Sequence, residues 1–309
     1  MNLLEAAYLV ESGRLVVRRS KKGKEMGLLD LIEGGLKDNG RFMEAYLVFR
    51  DVRNRGIIAL GEGEGAFLRY PRGKRPGSSP ADSWISVYRE HDEVSPRGLW
   101  HEAKRRAGMR MGFLCALVDA DWDITYYDIS PYGHSDPKLQ ARRRRAQKTS
   151  KTTLREMEGG GALLWDPSLK DELSGSGIGV PLGDGLLLSR EERQALSVTP
   201  DAASEPDMDR TKLSVYKNMI GKGWMVKTGF KYGTHFRVYT QGSMEHHSDL
   251  LVHCMLPDAG LTWDELARAI RLSHSVRKRF LMAIPLDERR GGKGGDSPPV
   301  YLELAWTKL

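Results

Sequence analysis

Apolar residues along this chain fall into short runs set between polar and glycine-rich stretches. "FLCALV" (residues 113–118) and "FLMAI" (280–284) are too short for helices and are bounded by Gly, Asp or Pro, which predicts strands. "ITYYDI" (124–129) and "VYLELAW" (300–306) predict a further strand after each of them. Ahead of the first pair lie "GLWHEAKRRAG" (98–108) and "LTWDELARAIRLSHSV" (261–276). The second sets Leu261, Leu266 and Ile270 at roughly helical spacing, so helices are expected there. The order helix, strand, loop, strand therefore occurs twice, which predicts an α/β fold.

A repeat of elements invites a search for a repeat of sequence. "VFRDVRNRGIIA" (48–59) lies over "VYKNMIGKGWMV" (215–226), pairing Phe49 with Tyr216, Arg50 with Lys217, Asp51 with Asn218 and Gly56 with Gly223. Asp82 and Asp249, Leu99 and Leu266, and Leu114 and Leu281 keep the same separation of 167 positions. "FLRY", ending at Tyr70, matches "FRVY", ending at Tyr239, with two extra residues in the later copy. One offset held by separate blocks identifies a diverged tandem duplication.

Bulk properties narrow the picture only a little. The 309 residues are 40% hydrophobic and 29% charged, with 48 Lys+Arg against 41 Asp+Glu and a net charge of +7. A basic balance suits a polyanionic partner without proving one. Cys115 and Cys254 sit in apolar runs and form no zinc pattern or disulfide framework, so buried thiols in a reducing cytoplasm are expected. "MNLLEAAYLVESGRLVV" is broken by Glu5 and Glu11 and reads as neither signal peptide nor membrane span; no membrane partner is expected.

The two copies differ most at polar positions. The later copy has Tyr239, then "EHHS" with His246 and His247, then Lys278 in "RLSHSVRKRF". The earlier copy keeps Tyr70, but Pro80 stands opposite His247 and Met111 opposite Lys278. Singly, Lys278 reads as a helix-end cation, Tyr239 as a strand-end aromatic and His247 as a loop histidine. The histidine and the lysine are missing together, as decay of one site would leave them. Tyrosine and histidine can serve as base and acid, and lysine can offset charge on a phosphorane-like transition state. A phenol is a weak base, and a cation beside it favours the phenolate. None of the three is a carboxylate, so a magnesium site is not indicated. The set suits RNA cleavage by attack of a ribose 2′-OH on the adjacent phosphate.

"GWMVKTGFKYGTHFRVY", "HS" and "RLSHSVRK" resemble the catalytic signature of archaeal tRNA-splicing endonucleases of the two-repeat, homodimeric type. The resemblance is clearest in the second half, and the duplication extends it over most of the chain. It implies that each repeat is an N-terminal α/β module plus a C-terminal restriction-endonuclease-like mixed-sheet domain. Residues 1–135 are then an inactive, dimer-building repeat and 136–161 a basic, glycine-rich linker. Residues 162–235 are a second N-terminal module and 236–309 the catalytic domain. The resemblance assigns catalysis to Tyr239, His247 and Lys278, with His246 an alternative to His247. It implies cutting of precursor tRNA at bulge–helix–bulge motifs without metal or cofactor, leaving 2′,3′-cyclic phosphate and 5′-OH ends. It also implies a homodimer in which an acidic loop, here Asp119, Asp121 and Asp123 in "DADWD", docks on the partner. Arg271 matches a base-clamping arginine, and Trp306 is the candidate second jaw. Two helical turns separate Arg271 from Lys278, which would put both on one side.

Other readings are weighed against this one. A non-catalytic RNA-binding subunit would have lost one of the three side chains, and all are present. "EAK" at Glu102 and "DPK" at Asp136 echo metal-dependent nucleases, but neither follows a suitably placed strand and carboxylate. Arg142 to Arg145 are either a nucleic-acid contact or a solvated face. His235 and His274 are expected to be structural.

Overall fold

The computed structural model describes residues 2–20, 23–63, 65–133, 154–196, 207–240, 247–286 and 298–309. Arg142–Arg145, Asp136, His246 and the glycine-rich stretch 287–297 lie outside them.

The earlier copy opens with α1 (Leu3–Glu11), a hairpin of β1 (Val17–Arg18) and β2 (Glu25–Met26), and α2 (Leu28–Asp38). Then come α3 (Phe42–Asn54), β3 (Ala59–Gly61), β4 (Ala66–Arg69), β5 (Ser83–Arg89), β6 (Glu93–Val94), α4 (Pro96–Gly108), β7 (Gly112–Val118) and β8 (Ile124–Pro131). The later copy opens on β9 (Leu154–Glu156) and β10 (Ala162–Leu164), then repeats the helix–hairpin–helix with α5 (Pro167–Gly175), β11 (Val180–Leu182), β12 (Gly185–Leu188) and α6 (Arg190–Leu196). Its remainder is α7 (Asp207–Gly221), β13 (Met225–Thr228), a 3₁₀ turn at Phe230–Tyr232, β14 (Phe236–Tyr239), β15 (Leu250–Cys254), β16 (Leu261–Thr262), α8 (Trp263–Ser275), β17 (Arg279–Ile284) and β18 (Val300–Thr307).

Among the described residues, ten strands form one mixed sheet in the order β13-β14-β15-β17-β18-β8-β7-β5-β4-β3. The register repeats with the sequence. The parallel pair β5–β7 sets Ser83 against Gly112, and β15–β17 sets Leu250 against Arg279, each 167 positions on. The copies meet at the middle, where β8 and β18 pair antiparallel with Ile129 opposite Leu304. β6 and β16 also pair antiparallel, with Val94 opposite Leu261. Each of these pairs joins equivalent strands of the two copies, so an approximate two-fold axis relates the copies inside one chain.

Alternating side chains assign the faces. Phe113, Cys115 and Leu117 of β7 join Phe280, Met282 and Ile284 of β17 in a core shared by both copies, capped by Leu99 and Trp100 of α4 and by Trp263, Leu266 and Ile270 of α8. The opposite face is split. Leu114, Ala116 and Val118 pack under α1 and α3, while Leu281 and Ala283 pack under Val215, Tyr216 and Met219 of α7. Strands buried on both faces read as continuous apolar runs, as these do. Cys115 and Cys254 are fully buried free thiols.

Three sequence expectations meet a different arrangement. Leu261 is in β16 rather than in the helix. Thr262 is extended and its N–H donates to Glu265, so α8 starts at Trp263. The first amides of that helix are satisfied across the copies, Trp263 N–H by the Asp92 carbonyl and Asp264 N–H by the Glu90 carbonyl. The division at 235/236 falls between β13 and β14, which pair with each other in the large sheet under α7. Within the expected linker, β9 pairs with β10 in a separate four-stranded sheet.

Candidate active site

The place of Lys278 is set by how α8 ends. Arg277 adopts φ +56°, its N–H donates to the His274 carbonyl, and the Lys278 N–H donates to the Ser273 carbonyl. This is a Schellman closure with arginine at the left-handed position that glycine usually fills. The earlier copy repeats it: Arg110 has φ +58°, Arg110 N–H donates to Ala107, and Met111 N–H donates to Arg106. The backbone holding Lys278 is therefore present twice, and only the side chain differs. It also removes the argument from two helical turns, because α8 stops at Ser275 and Lys278 lies beyond it.

Strand topology brings the other candidates to the same end of the sheet. β14 ends at Tyr239, β15 starts three residues after His247, and β17 starts one residue after Lys278. Asp249 ties the three together. Its N–H donates to the Val238 carbonyl, its carbonyl accepts from Arg279 N–H, and its carboxylate accepts from the Thr240 N–H at 2.9 Å and hydroxyl at 2.7 Å. The Lys278 ammonium donates to the Ser248 carbonyl at 2.7 Å, beside His247. Among the described residues this is its one hydrogen bond, of the three an ammonium can donate.

His247, Thr240 and Lys278 line one open cleft of about 1030 Å³, together with Lys231, Tyr232, Arg277 and Arg279. His247 is exposed. Tyr239 is 8% exposed and is not part of the wall. Because Phe236 and Val238 point into the core beneath α7, Tyr239 points to the other face, where the Arg237 guanidinium lies 5.9 Å from its ring centre. The structure thus places His247 and Lys278 on one cleft and Tyr239 at its strand edge.

Arg271 and Trp306 both border Tyr127. Trp306 faces Tyr127 across β8–β18, and burial pushes the Tyr127 phenol up while the Arg271 guanidinium pulls it back. Trp306 is 37% exposed and meets the His274 ring edge-on at 5.3 Å. His235 is built into the fold. Its Nδ1 accepts the Cys254 N–H at 3.0 Å, its ring lies 4.4 Å from that of His253, and burial lowers its pKa to about 4. In the acidic loop, Asp119 accepts the N–H groups of Asp121 and Asp123, at 3.1 and 2.9 Å. It shapes the turn, leaving Asp121, Asp123 and the half-exposed Trp122 on the outside.

Sequence reasoning missed Tyr232, whose ring centre is 5.8 Å from the Lys278 ammonium. Its signal was the unequal spacing before "FLRY" and "FRVY", since the longer copy holds this turn. Glu102, the carboxylate of "EAK", is committed elsewhere: it accepts from Arg105 and from Arg106, whose guanidinium lies 3.5 Å from the Trp84 ring centre. Among the described residues, no group of three or more His, Cys, Asp or Glu is placed to hold a metal ion, and no helix is long and apolar enough to cross a membrane.

Comparison with known proteins agrees with the internal repeat. The sequence model of the tRNA intron endonuclease catalytic C-terminal domain matches twice, at residues 42–126 and 210–291. The chain is 32% identical to a tRNA-splicing endonuclease of Methanococcoides burtonii, over 93% of this chain and 87% of that protein. It is 30% identical to one from Methanosarcina mazei, over 93% and 86%, and 28% identical to one from Haloferax volcanii, over 90% and 84%. The chain belongs to the tRNA intron endonuclease family.

Proposed function

We propose that this protein cuts precursor tRNA at bulge–helix–bulge motifs, using only the later copy for chemistry. Tyr239 takes the proton of the ribose 2′-OH, whose oxygen attacks the adjacent phosphorus. The bond from phosphorus to the 5′-oxygen breaks, and His247 protonates that oxygen. Lys278 sits against the phosphate and offsets the charge that builds on its oxygens, in a cleft where such a cation counts for more than in water. The products are a 2′,3′-cyclic phosphate and a 5′-OH, and no step calls for a metal.

One observation carries the reading. His247 and Lys278 share a cleft at the edge where Tyr239 ends its strand; in the earlier copy the same helix-end backbone holds Met111, and the sequence sets Pro80 opposite His247. Two symmetric cuts then need two chains. The homodimer forms through the acidic loop, with Asp121 and Asp123 facing the partner, Asp119 holding the loop shape, and Arg271 and Trp306 gripping a bulge base. The test is cleavage of a bulged precursor RNA in EDTA with analysis of the ends. Cyclic phosphate and 5′-OH ends are expected. Activity lost on chelation, or 3′-OH and 5′-phosphate ends, would overturn the mechanism.

A further inference from the structure

Phe230 is 86% exposed, and among the described residues no large hydrophobic side chain is more so. It is not on a loose segment. The Gly229 carbonyl accepts from the N–H groups of Tyr232 and Thr234, Gly229 N–H donates to His235, and Gly233 N–H donates to Phe230. Gly233 closes the turn at φ +64°, where a side chain is strained. A Cβ on Gly229 would come within 2.8 Å of the Thr234 carbonyl oxygen, so only glycine fits. A turn built this tightly holds a phenyl ring out in water.

The surroundings say what the ring meets. Lys231 and Tyr232, the next two residues, line the cleft with His247 and Lys278; Arg277 adds a further cation, while Arg279 is paired with Glu303 and Asp249 holds Thr240. Among the described residues, neither Lys231 nor Arg277 has an ion-pair partner. An aromatic face at the rim of a cationic groove matches a single-stranded nucleic acid, with its phosphates in the groove and a base on the ring. The internal comparison points the same way. At this position the earlier copy has "GEGEG" (61–65), shorter by two residues, with no aromatic and no cation. It therefore lacks the turn as well as the histidine and lysine.

We infer that the Phe230–Tyr232 turn is an RNA-binding element in which Phe230 stacks on an unpaired base next to the cleaved phosphate and Lys231 contacts the backbone. The inference rests on the cleft being an RNA-cleavage site. It adds a contact distinct from Arg271 and Trp306, which flank Tyr127 and are not among the residues lining the cleft.

The experiment uses the full chain and a bulged precursor RNA made uncleavable by 2′-deoxy nucleotides at the cut sites, with 2-aminopurine placed in turn at each bulge position. Phe230→Ala should weaken binding about tenfold and abolish 2-aminopurine quenching at one position, while Phe230→Trp restores both. The ring is exposed, so folding should survive either change. Wild-type binding and quenching in the alanine variant would overturn the stacking role while leaving the nuclease reading intact. A halved solution mass for Phe230→Ala would identify a protein-docking ring and also overturn it. Wild-type protein that neither binds nor cuts bulged RNA would overturn both.

Discussion

The two copies share backbone detail to the level of single hydrogen bonds yet differ in the side chains they carry there. Lys278 and Met111 both follow a left-handed arginine at the close of a helix and donate their amides to the equivalent carbonyl. Asp249 and Asp82 both donate N–H to the preceding strand and accept from the start of the next one. Their carboxylates then diverge. Asp249 holds Thr240, at the mouth of the cleft, whereas Asp82 accepts from Arg69 at 2.9 Å. The scaffold is under one constraint and the side chains under another. The scaffold is needed twice because β8 and β18 pair with each other at the centre of the sheet, and the shared core draws on both copies. Chemistry is needed only once per chain if a second chain supplies the second site.

That contrast can be broken or sharpened by experiment. The largest effect is expected from His247→Ala, which should slow single-turnover cleavage by about 10²–10⁴, the range for a general acid. His246→Ala should leave the rate unchanged, and the reverse pattern would reassign the acid. Next comes the dimer. If the proposed homodimer docks through this loop, Asp121→Lys with Asp123→Lys should weaken association by about tenfold or more, because the charge of the docking loop is reversed. Sedimentation over a dilution series reads this directly, and an unchanged dimer would remove the loop from the interface.

A smaller effect separates the structural histidines from His247, the proposed acid. His235 is held neutral, with a pKa lowered from 6.5 to about 4 chiefly by burial, and burial also lowers that of His253. The unfolded chain binds these protons first as pH falls. Stability should therefore be full above about pH 6.5 and decline towards pH 4, which urea unfolding at stepped pH would detect. His235→Gln should flatten that decline. The smallest effect is expected from Met111→Lys. It restores one cation to the earlier copy, but Pro80 and the "GEGEG" sequence remain, so the amount of RNA cut per chain in a single turnover should not change.

How far the sequence could be read follows from where the information lies. The helices and strands around 98–131 and 263–307 were legible because their apolar runs have strand length or helical period, and the duplication because one offset recurs. Lys278 was legible through its absence from the other copy. Other features were hidden for physical reasons. The end of α8 was missed because arginine, not glycine, takes the left-handed position. Tyr232 was missed because a 3₁₀ turn has no periodic signature, and its neighbour Lys278 is 46 positions away. The internal use of Asp119 depends on loop geometry, so "DADWD" alone makes all three aspartates look equivalent. The strand pairing of Leu261 is a contact with the other copy, 167 positions away, and no local pattern reports it.

The central claim is that one copy cuts and the other supports it. The most direct test compares Lys278→Ala with Met111→Ala, with saturating bulged precursor RNA in EDTA, measuring binding and single-turnover cleavage together. The account predicts that Lys278→Ala binds RNA nearly as well as the wild type but cuts about 10²–10³-fold more slowly, while Met111→Ala matches the wild type in both. Retained turnover in Lys278→Ala, or an equal loss in the two variants, would contradict it.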